Sequence, residues 1–280
     1  MIDLHTHSTF SDGSLTPEAL VDLAALVGLK AIALTDHDGM RGIARFMAAC
    51  RTAGVHGIPG VEISVDCKSG TLHMLGYFSP DQEPGLESAL MRIRQGREDR
   101  NQVILEKLNH QGFKITWQDV LGCAGEDVVG RPHFARALIE KGYFKKKDDV
   151  FDRLLGKGKP AYVDRFRLNA EESIAMIRSA GGVAVLAHPL TVGLHRKGMR
   201  VLLTDLVAKG LQGIEAYYPE HDASQTRNWL TLATEFNLLV TGGSDFHGAM
   251  NPDLRLGSGF CNLAVPDEVA DRLYERFGIH

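Results

Sequence analysis

The sequence predicts an α/β fold: a closed, mainly parallel barrel of about seven strands, interrupted by one inserted helical segment. Three observations carry that expectation. Short apolar runs alternate with helical periodicity in both halves of the chain, which is the pattern of βαβ units. No G-x-G-x-x-G follows the first apolar run, so an open dinucleotide-binding sheet has no support. Residues 84–168 drop the alternation and read as helices with few strand signals. The 280-residue length fits either two ordinary domains or one large barrel, and 44% hydrophobic content supplies a substantial core.

The elements follow in order. Met1–Leu4 reads as a first strand. Thr16-Pro17 then opens a helix, with Pro in the first turn where its missing N–H costs little. Leu20, Leu23, Ala24 and Val27 give that helix an apolar face. KAIALTDHD (30–38) is a buried-strand run that ends in polar residues, and a helix through Met47 follows. GIPGVEIS (57–64) and TLHMLGYF (71–78) are two further strands. After the insert, the helix EESIAMIRSA precedes the strand VAVLAHP (183–189). VLLTDLVAKG precedes GIEAYY (213–218), and NWLTLATEFN precedes LLVTGGSDFHG (238–248). Residues 1–83 and 169–280 are thus assigned to the barrel and 84–168 to a helical substrate-recognition insert, whose KKKDD run (145–149) reads as a solvated turn.

Composition narrows the function. A net charge of −4 argues against a dedicated binder of long nucleic acid, while leaving room for a locally positive pocket and a short anionic substrate. Cys50, Cys67, Cys123 and Cys261 show no C-x-x-C spacing and read as small hydrophobes in a reducing compartment. The N-terminus lacks the basic and apolar regions of a signal peptide, and no 18-residue apolar window is present. The expectation is a cytoplasmic protein with no membrane partner.

The chemistry lies at the strand ends. His5 and His7 close the first strand, with Asp12 in the loop beyond. Asp36 and His37 close the second, Glu62 the third, and His73 lies in the fourth. His188 closes the fifth, and Asp245 and His247 close the last. In a parallel barrel the C-terminal strand ends converge on one mouth, where active sites lie. Neutral imidazoles and carboxylates gathered there, without thiolates, are what a multinuclear metal site needs. Any one of these residues alone reads as an ordinary polar side chain; the joint pattern does not.

LHTHSTFSDGS, ALTDHD, GVEIS, LHMLGY, LAHP and GSDFHG, in this order, resemble the PHP (polymerase and histidinol phosphatase) family of metal-dependent phosphoesterases. The resemblance covers both halves of the chain. It implies a distorted seven-stranded, TIM-like (β/α)7 barrel with an inserted helical cap and up to three divalent metals. The insert after the fourth strand is most similar to the bacterial branch acting on 3′,5′-nucleoside bisphosphates. Members of that branch remove the 3′-phosphate, and some trim short RNA oligonucleotides from the 5′ end.

Carried over residue by residue, the resemblance implies a first metal on His5, His7, Glu62 and Asp245. A second shares Glu62 and adds His73 and His188, and a third takes Asp12, His37 and His247. Some relatives have histidine where Asp12 stands, so an oxygen-richer third site shifts preference toward manganese over zinc; the family uses manganese, zinc or iron. Three divalent ions carry +6 against −3 from Asp12, Glu62 and Asp245, a balance that suits phosphate. A metal-bridging hydroxide would attack phosphorus in line, with Asp12, His37, Glu62, His188, Asp245 and His247 as the catalytic set. Asp36 reads equally as support for a ligand or as a helix cap, and Glu215 as support for a ligand.

Substrate recognition is expected in the insert. Leu86, Leu90, Ile93, Ile104 and Leu108 form an apolar stripe that Arg97 and Arg100 interrupt. Inward arginines need anionic partners. A phosphate clamp is one reading; ion pairs with Glu98 or Asp99, or solvated heads on packed stems, are the other. Asn101 sits beside them as a contact for base or ribose. In GRPHFAR (130–136), Arg131 and His133 lie near the start of a helix, whose N-terminus favours anions. His195, Arg196 and Lys197 read as a further contact or as an exposed basic loop.

The function so implied is a phosphoric monoester hydrolase: a 3′,5′-nucleoside bisphosphate phosphatase acting on substrates such as pAp and releasing a nucleoside 5′-monophosphate. A 5′-3′ exonuclease of short oligonucleotides, a cyclic nucleotide phosphodiesterase and histidinol phosphatase are the rival enzymes. A metal-stabilised, non-catalytic interaction module is the rival from another class. The sequence leaves oligomeric state, base preference and the general acid open.

Overall fold

The computed structural model describes the chain except residues 68–69, 82–84, 125–128, 165 and 280. It separates into two compact units, Met1–Leu90 with Leu168–His280 and Met91–Arg167. The boundary expected at 83/84 lies outside the described residues.

Among the described residues the strands are β1 (Ile2–Asp3), β2 (Ala31–Leu34), β3 (His56–Val65), β4 (Leu72–Tyr77), β5 (Val183–Leu186), β6 (Gly213–Tyr217) and β7 (Leu239–Gly242). The helices, in chain order, are α1 (Pro17–Leu26), α2 (Ile43–Ala53), α3 (Glu87–His110), α4 (Trp117–Ala124) and α5 (Arg131–Glu140). They continue with α6 (Lys147–Val150), α7 (Ala170–Ser179), α8 (Arg196–Ala208), α9 (Ala223–Glu235) and α10 (Glu268–Arg276). No helix among the described residues is long and apolar enough to cross a membrane.

All the strands lie in the first unit and form one sheet in sequence order. Bonds from Leu4 N to Gly242 O (3.1 Å), Asp245 N to His5 O (2.9 Å) and His7 N to Phe246 O (3.0 Å) join the chain just after β1 to the end of β7 and the residues that follow it. The sheet is not uniformly parallel. β4 runs antiparallel to both β3 and β5, while the other neighbours are parallel. The reversal matters for the site: the start of β4, not its end, meets the mouth. His73, the second residue of β4, pairs with Ser64 two residues beyond Glu62.

Local chemistry explains the helix starts. The Thr16 side chain accepts the Ala19 amide at 3.3 Å, with Pro17 in the first turn. Asn169 with Glu172 and Asp222 with Gln225 form reciprocal capping boxes on α7 and α9. The apolar face of α1 is buried through Leu20, Val21 and Ala24, with Leu23 partly covered. Val27 is 39% exposed, because the helix ends one residue before it.

The barrel core gathers Ile2, Leu4, Ala33, Ile58, Leu75, Val185 and Ala187. Within it the Tyr77 hydroxyl donates to Leu4 O at 2.8 Å. Asp3, fully buried, accepts amides from Ser244 (2.8 Å) and Gly257 (2.8 Å) and so ties β1 to the chain after β7. The second unit has its own core, with Ile104, Leu108, Ile115, Phe134, Leu138, Val150 and Leu155 at its centre. The KKKDD run is exposed, and its last three residues begin α6.

Gly243 fixes the approach of the two edge strands. A Cβ there would lie 2.8 Å from Asp3 Oδ1 and closer still to the backbone amide of His5. Overpacking against backbone cannot be relieved by a rotamer change, so Gly243→Ala is expected to cost about 3 kcal/mol, the upper end of such penalties. A lowered urea midpoint with an unchanged m-value is the expected readout.

Candidate metal centre

The ligand candidates converge at one end of the barrel in the first unit. Glu62 Oε2 lies 3.3 Å from both His5 Nε2 and His7 Nε2 and 3.0 Å from His37 Nδ1. Its Oε1 lies 2.7 Å from His73 Nδ1 and 2.8 Å from His188 Nε2. Asp245 Oδ1 stands 3.4 Å from His5 Nε2 and 3.1 Å from His7 Nε2. Asp12 Oδ1 is 3.2 Å from His247 Nε2, and its Oδ2 is 3.7 Å from His37 Nε2.

Among the described residues, three groups hold ligand atoms within 4.8 Å of one another: His5–His7–Glu62–Asp245, His7–Asp12–His37–His247, and His37–Glu62–His73. The first contains the residues expected around the first ion. The second contains Asp12, His37 and His247 with His7 added. In the third, His37 rather than His188 joins Glu62 and His73, while His188 remains in contact with Glu62 Oε1.

A cation fits this donor set. His5 Nε2, His7 Nε2, Asp12 Oδ1, His37 Nδ1, Glu62 Oε2 and Asp245 Oδ1 are all buried and lack a hydrogen-bond partner. Buried polar atoms are ordinarily paired, so orphans that face one another point to a ligand that can satisfy several lone pairs. The donors are all imidazole nitrogen and carboxylate oxygen, the set that first-row divalent ions accept.

Residues 3–155 match the PHP domain family model. The chain is 36% identical over 247 residues, 88% of its length and 87% of the relative's, to a 3′,5′-nucleoside bisphosphate phosphatase of Chromobacterium violaceum. This chain belongs to the PHP family. It is also 35% identical over 245 residues to a 5′-3′ exoribonuclease of Haemophilus influenzae, covering 88% of this chain and 89% of that one. A proposed metal-dependent phosphoesterase from Bifidobacterium adolescentis superposes with a TM-score of 0.82 at 32% identity, covering 98% and 96% of the two chains.

Charge in the PHP centre is strongly coupled. Burial disfavours the His5 imidazolium, but Glu215, Asp245 and Glu62 overrule it and hold its pKa well above the usual value. His7 is likewise raised to about 10: burial opposes the charged form, and the nearby carboxylates of Asp245 and Glu62 outweigh it. Glu62 and Asp245 are held well below the carboxylate range, since the surrounding histidines outweigh their burial. His37 goes the other way, to about 4, because burial prevails over Glu62 and Asp12.

A surrounding set of groups fixes these candidate ligands. Asp36 accepts Ser8 N (2.7 Å), Ser8 Oγ (2.7 Å) and Ser11 Oγ (2.6 Å), and Ser11 Oγ lies 3.4 Å from His7 Nδ1. Asp36 does not cap the next helix: the N-cap of α2 is Gly42, with no side-chain cap bond. The Tyr218 hydroxyl donates to Asp245 Oδ2 at 3.1 Å. Ser8, Ser11 and Tyr218 escape a search confined to His, Asp and Glu; Tyr218 follows β6 directly and the same strand-end rule, applied to hydroxyls, finds it. His188 (φ 21°), Asp245 (φ 55°) and Asp38 (φ 51°) hold left-handed backbone at the mouth, a strain of order 1–3 kcal/mol each.

In the second unit of the PHP chain, Arg97, Arg100 and Asn101 are buried, at 8%, 7% and 1% exposure. Burial and then the charges of Arg97, Arg131 and Arg167 push Arg100 down to about 9. Arg131 donates to Leu155 O (3.2 Å) and lies over the Tyr162 ring (5.2 Å). Asn101 Nδ2 donates to Val129 O at 2.8 Å, leaving its Oδ1 buried and unpaired. His133 Nδ1 accepts the Gly130 amide at 3.0 Å and so completes the cap of α5. His195, Arg196 and Lys197 are exposed at the start of α8.

Metal binding must displace protons here. His5 and His7 have raised pKa values in the metal-free fold, so each is protonated at neutral pH and must lose a proton to become a ligand. Mn²⁺ affinity is therefore expected to rise with pH through neutrality and to keep rising toward about 10, the value for His7. Calorimetry in buffers of different ionisation enthalpy is expected to register net proton release at pH 7.

Proposed function

We propose that this PHP protein is a metal-dependent phosphoesterase that hydrolyses the 3′-phosphate of 3′,5′-nucleoside bisphosphates such as pAp, giving a nucleoside 5′-monophosphate and phosphate. The observation that carries the reading is the set of orphaned, convergent lone pairs on His5, His7, Asp12, His37, Glu62 and Asp245. The C. violaceum relative's name supports the substrate class. A small nucleotide partner and a cytoplasmic location belong to the same reading.

His5, His7, Asp12, His37, Glu62, His73, His188, Asp245 and His247 would hold three divalent ions, manganese foremost. When bound, such ions polarise phosphoryl oxygens and make water nucleophilic at neutral pH. The chain's own part is positioning. Glu62, in contact with imidazoles through both oxygens, serves as the shared carboxylate between sites. Asp12, His37 and His247 gather one group of ligand atoms, and Asp245 is held through its second oxygen by Tyr218. Arg97, Arg100 and Arg131 supply cationic recognition of a further anionic group, with Asn101 Oδ1 and His133 as polar contacts. Arginine suits this because its planar fork matches phosphate oxygens.

A second reading is diester hydrolysis. The H. influenzae relative is named a 5′-3′ exoribonuclease, and one from Eggerthella lenta, 31% identical over 250 residues, is named a phosphoribosyl 1,2-cyclic phosphate 1,2-diphosphodiesterase. Phosphate release from pAp, AMP, cyclic nucleotides, dinucleotides and histidinol phosphate, each with added Mn²⁺, separates the readings. The bisphosphate is expected to give the highest kcat/KM; preference for a dinucleotide would replace this reading with the nuclease one.

Two sets of variants test the residue roles. His5→Ala and Asp245→Ala are expected to abolish turnover and lower bound metal; full activity with unchanged metal content would refute the site. Arg97→Ala and Arg100→Ala are expected to reduce kcat/KM at least about tenfold more for pAp than for an aryl phosphate, the scale of one lost charge-assisted contact. Equal losses on both substrates would remove the arginines from recognition.

A further inference from the structure

We propose that Glu215 is a positioning residue of the metal centre, one carboxylate that sets both the ring of His5 and the backbone of His188; this rests on the metal-site reading above. Glu215 is the third residue of β6 and is fully buried. Its Oε1 lies 3.0 Å from His5 Nδ1, and its Oε2 accepts the backbone amide of His188 at 2.7 Å. Both oxygens are therefore engaged, and neither belongs to the groups of convergent ligand atoms.

The chemistry of the acceptor dictates the chemistry of the histidine. A carboxylate offers only lone pairs, so the contact requires His5 Nδ1 to carry a proton. A neutral His5 then has its free lone pair on Nε2, the atom that faces Glu62 and Asp245 and has no hydrogen-bond partner. Glu215 thus selects the one tautomer that can bind a cation there. The other oxygen acts on backbone. His188 sits at φ 21° and ψ 68°, outside the ordinary wells, and needs surrounding contacts to keep it there. The charge-assisted bond to its amide is one such contact; the bond between its Nδ1 and Thr191 Oγ1 (2.8 Å) fixes the ring. The His5 and His188 rings lie 5.7 Å apart, so Glu215 locks two adjacent ligands together.

Glutamine is the discriminating substitution. It matches glutamate in size but offers one acceptor oxygen to two donors, so either His5 Nδ1–H or His188 N–H loses its partner. Full-length wild type and Glu215→Gln, stripped of metal by chelation, are titrated calorimetrically with Mn²⁺, and the melting temperature of each metal-free chain is recorded. The tightest Mn²⁺ site is expected to weaken about 10–100-fold in Glu215→Gln, the usual effect of losing a partner behind a metal ligand. Unchanged Mn²⁺ affinity in the variant, with or without a lowered melting temperature, would leave Glu215 a packing role only and overturn the proposal. A wild type that binds no Mn²⁺ overturns the metal-site reading, and this inference with it; a wild type that binds and a variant that binds equally overturn this inference alone. Should the variant fail to fold, nitrogen NMR of the Zn²⁺-loaded wild type decides. A protonated His5 Nδ1 is expected, and a proton on Nε2 instead would overturn the assignment.

Discussion

Glu62 is a buried carboxylate in contact with His5, His7, His37, His73 and His188, and most of the barrel mouth is arranged around it. An isolated buried charge is expensive, and removing its partners leaves it uncompensated. The fold meets this by drawing ligands from elements far apart in sequence onto one carboxylate. It also sets the protonation of the cluster: the histidines hold Glu62 ionised, and Glu62 with its neighbours holds His5 and His7 charged. Such a cluster neutralises itself with protons when metal is absent and exchanges them for a cation when metal is present. Binding and proton balance are thus one equilibrium.

Convergence on one carboxylate requires backbone that ordinary strands do not supply. Apart from Glu62 in β3 and His73 in β4, the candidate ligands follow strands rather than sit in them, and the chain bends sharply at His188 and Asp245. Left-handed backbone at Asp38, His188 and Asp245 is the visible result. The strain is held by buried acids that are themselves saturated with donors. Asp36 collects Ser8 and Ser11, Asp38 accepts the Ser64 amide at 2.9 Å, and Asp3 accepts the Ser244 amide at 2.8 Å. Each such bond to a charged group contributes about 1.5–3 kcal/mol, enough to offset one strained residue. Two of these acids also reach candidate ligands: Asp36 through Ser11 to His7, and Asp3 through the amide of His5.

The candidate ligand set is legible in the sequence because metal chemistry restricts residue types severely. His and Asp at successive apolar-run ends have few alternative explanations, and that pattern is visible in one dimension. The reversal of β4 is less visible. An antiparallel strand buried on both faces has the same apolar run as a parallel one, and only the short span between Val65 and Leu72, too brief for a helical crossover, distinguishes them. Partition of ligands among ions is also hidden, since His7 and His37 each face two groups and only three-dimensional distance separates those options. Ser8 and Ser11 act through Asp36, and hydroxyls in loops are too common to stand out. The burial of Arg97 and Arg100, by contrast, follows from the helical period itself, which carries the apolar stripe of α3 through both positions.

Those arginines bear on how a chain with net charge −4 can handle phosphate. On the proposed reading, positive charge for phosphate comes from two places: ions held by the candidate ligands at the barrel mouth and the buried guanidinium groups of the second unit. At physiological ionic strength a field fades over about 8 Å, so a distant acidic surface does little to a small ligand already in a pocket. A long polyanion meets that surface along its whole length and gains little from a local patch. Within the second unit, burial first and then the charges of Arg97, Arg131 and Arg167 bring the pKa of Arg100 to about 9. On the proposed reading, a compact, multiply charged anion would offset part of that repulsion.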